Sequence, residues 1–151
     1  IQQDRPDIQQ PIVIKGLRWL NQNSKNGLLV IFSKLNSNLS PESRLLLSKM
    51  LKSIHFLPAE TGFAVIDEEE ISGAESFCLE SVKAILVLGH EAGRQLQNID
   101  AVTIIPDSKI LTLLGRKIVT TWHPDDLMTN SEHKLQSWND LKQVVNLFNN
   151  N

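Results

Sequence analysis

Cysteine is almost missing from this chain: Cys78 stands alone among 151 residues. One thiol excludes an intrachain disulfide and any all-cysteine metal or iron–sulfur site, and it fits a reducing cytoplasm. Long apolar runs are missing too. No stretch approaches the ~20 residues that a membrane-spanning helix needs, and no secretory signal pattern is visible. The chain begins at Ile1 rather than Met, so further residues are expected before it. Charge of one sign is not in excess, since 15 basic residues face 17 acidic ones. A duplex-DNA binder gains most of its affinity from a basic stripe that neutralises phosphates. Here the cations are scattered and Glu68-Glu69-Glu70 would repel phosphate, so tight direct DNA binding is not expected.

Several chemistries lack their parts. The seven glycines are spread singly, which leaves no phosphate-binding loop. No His-x-x-x-His or Glu-x-x-His pair exists, so neither a metal nor any other cofactor is expected. No Gly-x-Ser-x-Gly elbow supports Ser33 or Ser40 as a nucleophile. His55, His90 and His133 read as surface histidines, Cys78 as a small core residue, and the acidic run at 67–70 as a solvated loop.

What is present is an alternation of strands and helices. Residues 1–11 are polar, carry Pro6 and Pro11, and read as an extended arm. Residues 12–148 form one α/β domain, and 149–151 a frayed tail. Ile12 to Ile14 reads as a short strand and Asn21 to Gly27 as a loop. Leu28 to Phe32 is a continuous apolar run, as in a strand covered on both faces. Ser40-Pro41 opens a helix with Ser as N-cap and Pro at its first position. Its apolar face is Leu46, Leu47, Met50, Leu51 and Ile54. Further strands are expected at Gly62–Ile66, Ala84–Leu88, an edge at Ala101–Ile105, and Lys117–Trp122. Helices are expected at Glu91–Gln97, Ile110–Leu114, and from Asn130 or Ser131 onward. This alternation predicts a three-layer α/β/α sandwich with a mostly parallel central sheet. Ligands on such sheets sit beyond the C-terminal strand ends. The residues just after Phe32, Ile66, Leu88 and Trp122 would therefore share one rim.

The strand Lys117-Ile118-Val119-Thr120-Thr121-Trp122, the turn His123-Pro124-Asp125 and the helix around Trp138-Asn139-Asp140-Leu141 resemble the closing segment of the uracil-DNA glycosylase superfamily. Leu88-Gly89-His90-Glu91-Ala92 resembles that family's Leu-Gly-x-x-Ala turn. The resemblance implies a glycosylase-like fold with its chemistry degenerate. The position of the water-activating acid falls on Ser33, and a hydroxyl with no base beside it does not replace a carboxylate. The base-reading Asn falls near Asp67, which when ionised only accepts hydrogen bonds. His123, which in that family donates to the leaving uracil, remains. The family's cluster-binding cysteines are absent.

A second resemblance runs through nearly the whole chain in order. Arg5-Pro6-Asp7-Ile8-Gln9-Gln10 leads to the strand Ile12-Val13-Ile14. The apolar strand Leu28–Phe32, a polar loop and the Leu-rich helix after Ser40-Pro41 follow. His123-Pro124 through Asn130 then leads to Lys134-Leu135-Gln136-Ser137-Trp138. This order is similar to the psi subunits of the bacterial DNA polymerase III clamp loader. The resemblance implies a non-catalytic connector in DNA replication. It would tether the chi subunit, and through chi single-stranded-DNA-binding protein, to the clamp-loader ATPase (gamma/tau). Arg5 and Pro6 would be the remnant of the clamp-loader arm, whose peptide would mostly precede Ile1. Trp19, Trp122 and Trp138 are the candidate partner-face residues, because aromatic anchors are enriched at interface centres. The alternatives are a divergent uracil-DNA glycosylase using His123 and an unrelated small α/β protein-binding domain.

Overall fold

In a computed structural model, residues 12–14, 16–22, 24–33, 38–67, 76–77, 79–99, 101–106 and 110–149 are described. Arg5, Pro6, Glu68 to Glu70 and Cys78 lie outside them.

The strands are β1 (Ile12–Val13), β2 (Leu17–Asn21), β3 (Leu28–Ser33), β4 (Gly62–Ile66), β5 (Ser76–Phe77), β6 (Ala84–Leu88), β7 (Val102–Ile105), β8 (Ile110–Leu113) and β9 (Arg116–Thr121). The α-helices are α1 (Pro41–Ser53), α2 (His90–Leu96), α3 (Pro124–Thr129) and α4 (Lys134–Asn149). Short 3-10 turns occupy Pro58–Glu60 and Ser131–His133. Seven strands form one sheet in the order β2-β4-β3-β6-β9-β8-β7, and β1 pairs separately with β5. The sheet is parallel only among its four central strands, β4, β3, β6 and β9. Both flanks are antiparallel: β2 against β4, and β7–β8–β9 as a meander.

Alternation along each strand divides the core in two, because successive side chains point to opposite faces. Leu29 and Ile31 of β3 join Ile85 and Val87 of β6 on one face, beneath Ala92 and Leu96 of α2. Leu28, Val30 and Phe32 join Leu86, Leu88 and Val119 on the other. That second face is covered by Leu47, Met50 and Leu51 of α1, Leu127 of α3, and Leu141 and Val144 of α4. β3 and β6 are buried at every position, which is why they read as unbroken apolar runs.

α1 begins as its sequence dictates: the Ser40 side chain accepts a hydrogen bond from the Ser43 amide, and Pro41 takes the first helical position. It ends in a Schellman turn. The Phe56 amide donates to the Leu51 carbonyl at 2.9 Å and the His55 amide to the Lys52 carbonyl at 3.0 Å. His55 sits at the left-handed position of that turn, φ 68°.

Three expectations are corrected. Ile110 to Leu113 is strand β8, not a helix. An apolar run this short fits either period, and the turn after it decides. Leu114 and Gly115 both have positive φ, 49° and 87°, with Leu113 paired to Arg116 across them. That is the signature of a two-residue type I′ hairpin. The second concerns the sheet, expected to be mostly parallel and observed as mixed: the hairpin replaces a helical crossover and makes that side of the sheet antiparallel. The third concerns the loop expected from Asn21: Asn21 is the last residue of β2, opposite Phe63 of β4.

Candidate functional site

The register of the central strands brings their C-terminal ends level. Ser33 lies opposite Ile66, Phe32 opposite Leu88, and Leu88 opposite Thr121. Ser33, Asp67, Gly89 and His123 therefore share one rim, as the sequence predicts. Gly89 has φ 99° and its amide donates to the Thr121 carbonyl at 2.8 Å, which fixes the turn into α2 next to the end of β9. The left-handed φ is the physical reason for glycine there.

Ser33, Asp67 and His123, the positions that the glycosylase resemblance singles out, are on the rim but closed to solvent, with exposures of 1%, 3% and 2%. Asp67 faces β2: its Oδ2 lies 3.6 Å from Arg18 Nε, and its amide donates to the Gly16 carbonyl at 2.8 Å. His123 caps α3. Its Nδ1 accepts from the Asp125 amide at 3.0 Å. The same Nδ1 lies 3.6 Å from Asp125 Oδ2, too long for a hydrogen bond. The amide contact therefore sets the tautomer, with the ring proton on Nε2. The imidazole is tilted against Phe32, ring centroids 6.3 Å apart. Pro124 takes the first position of α3, so His-Pro works here as a helix start. The sequence reading had this segment as a turn only.

Of the three tryptophans, Trp19 on β2 is half-buried against the α2-side core. Trp122 lies between two histidines: the His133 ring stacks on it at 3.8 Å and 5°, and the His90 ring meets it edge-on at 4.5 Å and 71°. Its indole N–H donates to Gln136 Oε1 at 3.3 Å. The two histidines that read as plain surface residues thus clamp a tryptophan. Trp138 is the one left open, at 38% exposure. It lines a groove of about 210 Å³ between α1 and α4, beside Leu46 and Met50, with Lys49 and Lys134 at its edges. Lys142 Nζ sits 5.5 Å from the Trp138 ring centroid, within cation–π range.

Asp140 escaped the sequence reading, because one carboxylate on an amphipathic helix carries no signal. Burial pushes its carboxyl above the ordinary carboxylate range, against a smaller opposite pull from a hydrogen bond with Thr121 and from His90. Thr121 in turn makes a buried 3.0 Å hydrogen bond with Ser137. α4 is thereby pinned to the end of β9 by polar contacts beside an apolar seam.

A larger cleft, about 510 Å³, opens between α1 and the β2–β4 side of the sheet. Neither it nor the α1–α4 groove is lined by Ser33, Asp67 or His123. Among the described residues no group of three or more His, Cys, Asp or Glu side chains gathers to hold a metal ion, and no helix is long and apolar enough to cross a membrane. In comparisons with known proteins, no family model and no curated protein matches this chain.

Proposed function

We propose that this chain is a non-catalytic connector of the psi type in the bacterial DNA polymerase III assembly. In this reading it binds the chi subunit, and through chi single-stranded-DNA-binding protein, while its N-terminal arm engages the clamp-loader ATPase in the cytoplasm. Its sheet and helices form a three-layer α/β/α sandwich of the uracil-DNA glycosylase kind, with the catalytic rim closed. The observation that carries the reading is the burial of Ser33 at the end of β3, where a glycosylase needs a water-activating acid. Asp67 offers no substitute, since it is buried against Arg18. A connector works by raising the effective concentration of two partners, and it needs a stiff body with an anchoring surface rather than a pocket for chemistry. The α1–α4 groove suits the anchoring role: the partly exposed Trp138 lines it with Leu46, Met50, Leu127 and Leu141, and Lys49 and Lys134 belong to the same lining. Aromatic side chains open at an apolar groove are the common anchors of protein-binding surfaces.

The test is capture. Full-length protein should retain chi and the clamp-loader ATPase in stoichiometric amounts, and Trp138→Ala should weaken retention of one of them by tenfold or more, the usual loss at an aromatic hot spot. Retention of neither would leave an unrelated α/β binding domain. One observation favours a second reading, a divergent glycosylase: His123 keeps its place on the rim. That reading predicts uracil release from single-stranded DNA, abolished by His123→Ala. The connector reading predicts none at high protein concentration, together with weak DNA affinity.

A further inference from the structure

The geometry points to the cleft between α1 and the β2–β4 side of the sheet as a binding site for a small apolar monocarboxylic acid. Its volume, about 510 Å³, falls within the range of small-molecule sites, which are apolar with a few convergent polar groups. One wall is aromatic: Phe32 and Phe63 lie parallel, 10° apart in plane, with ring centroids 6.0 Å apart. They stand on neighbouring parallel strands and project to the same face. Leu47 of α1 and Leu20 of β2, 48% exposed, extend the apolar surface. A flat or extended hydrocarbon body would cover Phe63 and Leu20, with Phe32 and Leu47, 3% and 5% exposed, packed behind them.

The polar end is set by α1. Arg44 and Ser48 are four residues apart, hence on one helix face, and both line the cleft. Arg44 is the one charged side chain on the described lining. Among the described residues its guanidinium meets no hydrogen-bond or ion-pair partner, while its amide is held by the Ser40 carbonyl. A guanidinium fork matches a carboxylate bidentately, and the Ser48 hydroxyl can donate beside it. An amine would meet the like charge of Arg44. A neutral alcohol would cover the aromatic wall but leave the fork unpaired. One fork and one hydroxyl suit a single carboxylate better than a phosphate dianion, which calls for more positive charge. The site stands apart from the connector reading and uses none of its partner contacts.

The experiment titrates the full chain with octanoate, octanol and octylamine, following backbone amide NMR shifts and calorimetry. Octanoate should bind saturably and shift the amides of Phe63, Leu47 and Ser48. Octanol should bind about tenfold more weakly and octylamine not at all. Arg44→Gln should lower octanoate affinity about tenfold, the weight of one charge-assisted contact, and leave octanol binding unchanged. Arg44 is exposed, so the variant should melt like the parent, which keeps the comparison valid. Equal affinity for octanol and octanoate, an unaltered affinity in Arg44→Gln, or shifts confined to other surfaces would each overturn the assignment. So would the absence of saturable octanoate binding. Capture of chi is read separately, so either proposal can fail alone.

Discussion

Replacing His123 tests whether the rim is architecture or chemistry. In His123→Ala two contributions disappear. The Nδ1 acceptor that caps α3 is lost, worth about 0.5–2 kcal/mol. The ring, 2% exposed and packed against Phe32, is also lost; for a side chain of this size the cavity and transfer loss adds roughly 1–3 kcal/mol. Together they give about 1.5–5 kcal/mol, or a fall in Tm of about 3–20 °C for a chain of this length. His123→Asn separates the two, because Asn is among the best N-cap residues but does not fill the imidazole's space. It should recover about 1 kcal/mol relative to Ala. Urea unfolding followed by circular dichroism measures both. The reasoning fails if Ala costs less than about 0.5 kcal/mol, or if Asn and Ala are equally destabilised, since the cap would then contribute nothing. Chi capture by the surviving folded fraction should be unchanged, because His123 is not part of the lining of the Trp138 groove.

Other perturbations follow from single contacts. His55→Gly should stabilise the protein by about 0.5–1 kcal/mol in thermal unfolding, because His55 is exposed and holds φ 68° in the Schellman turn, which glycine adopts without strain. Gly89→Ala should cost more than about 1 kcal/mol, since φ 99° is unfavourable for any residue with a Cβ. Asp140 has its folded pKa raised, so the folded state holds the proton more tightly than the unfolded chain. The stability this provides is present below the unfolded carboxylate pKa and is lost as pH rises through the folded value. Asp140→Asn should therefore gain Tm relative to the parent as pH climbs through that window toward neutrality, and the gap should close in acid. A constant difference at all pH values would show that the desolvated carboxylate is not the cause.

The elements legible in the sequence were those whose signal is local. Ser40-Pro41 announced α1, and the structure has the Ser40 cap in place. Leu28 to Phe32 and Ala84 to Leu88 announced the covered central strands, and the rim followed from knowing that parallel strands end on one side. β8 was misread because four apolar residues satisfy either period, and only pairing to β7 and β9 selects the strand. α3 was missed because its cap is a histidine, which is not a standard capping residue, and because its six residues give too short a pattern to see. The candidate sites were less legible still. Trp138, Trp122 and Trp19 look alike in sequence, yet one is open, one is clamped by His90 and His133, and one is packed into the core face. Arg44 and Ser48 face a cleft whose other wall comes from β3 and β4.

The sequence by itself determined the class of this protein: alternating buried strands and amphipathic helices, and a rim made by four strand ends. These depend on residue type and short-range spacing, which the chain carries wherever it folds. The tertiary structure alone decided that the rim residues are closed to solvent and that the sheet turns antiparallel at both edges. It also opened the groove beside Trp138 and the cleft beside Arg44. Exposure is a property of what packs over a side chain, and those neighbours come from segments far apart along the chain.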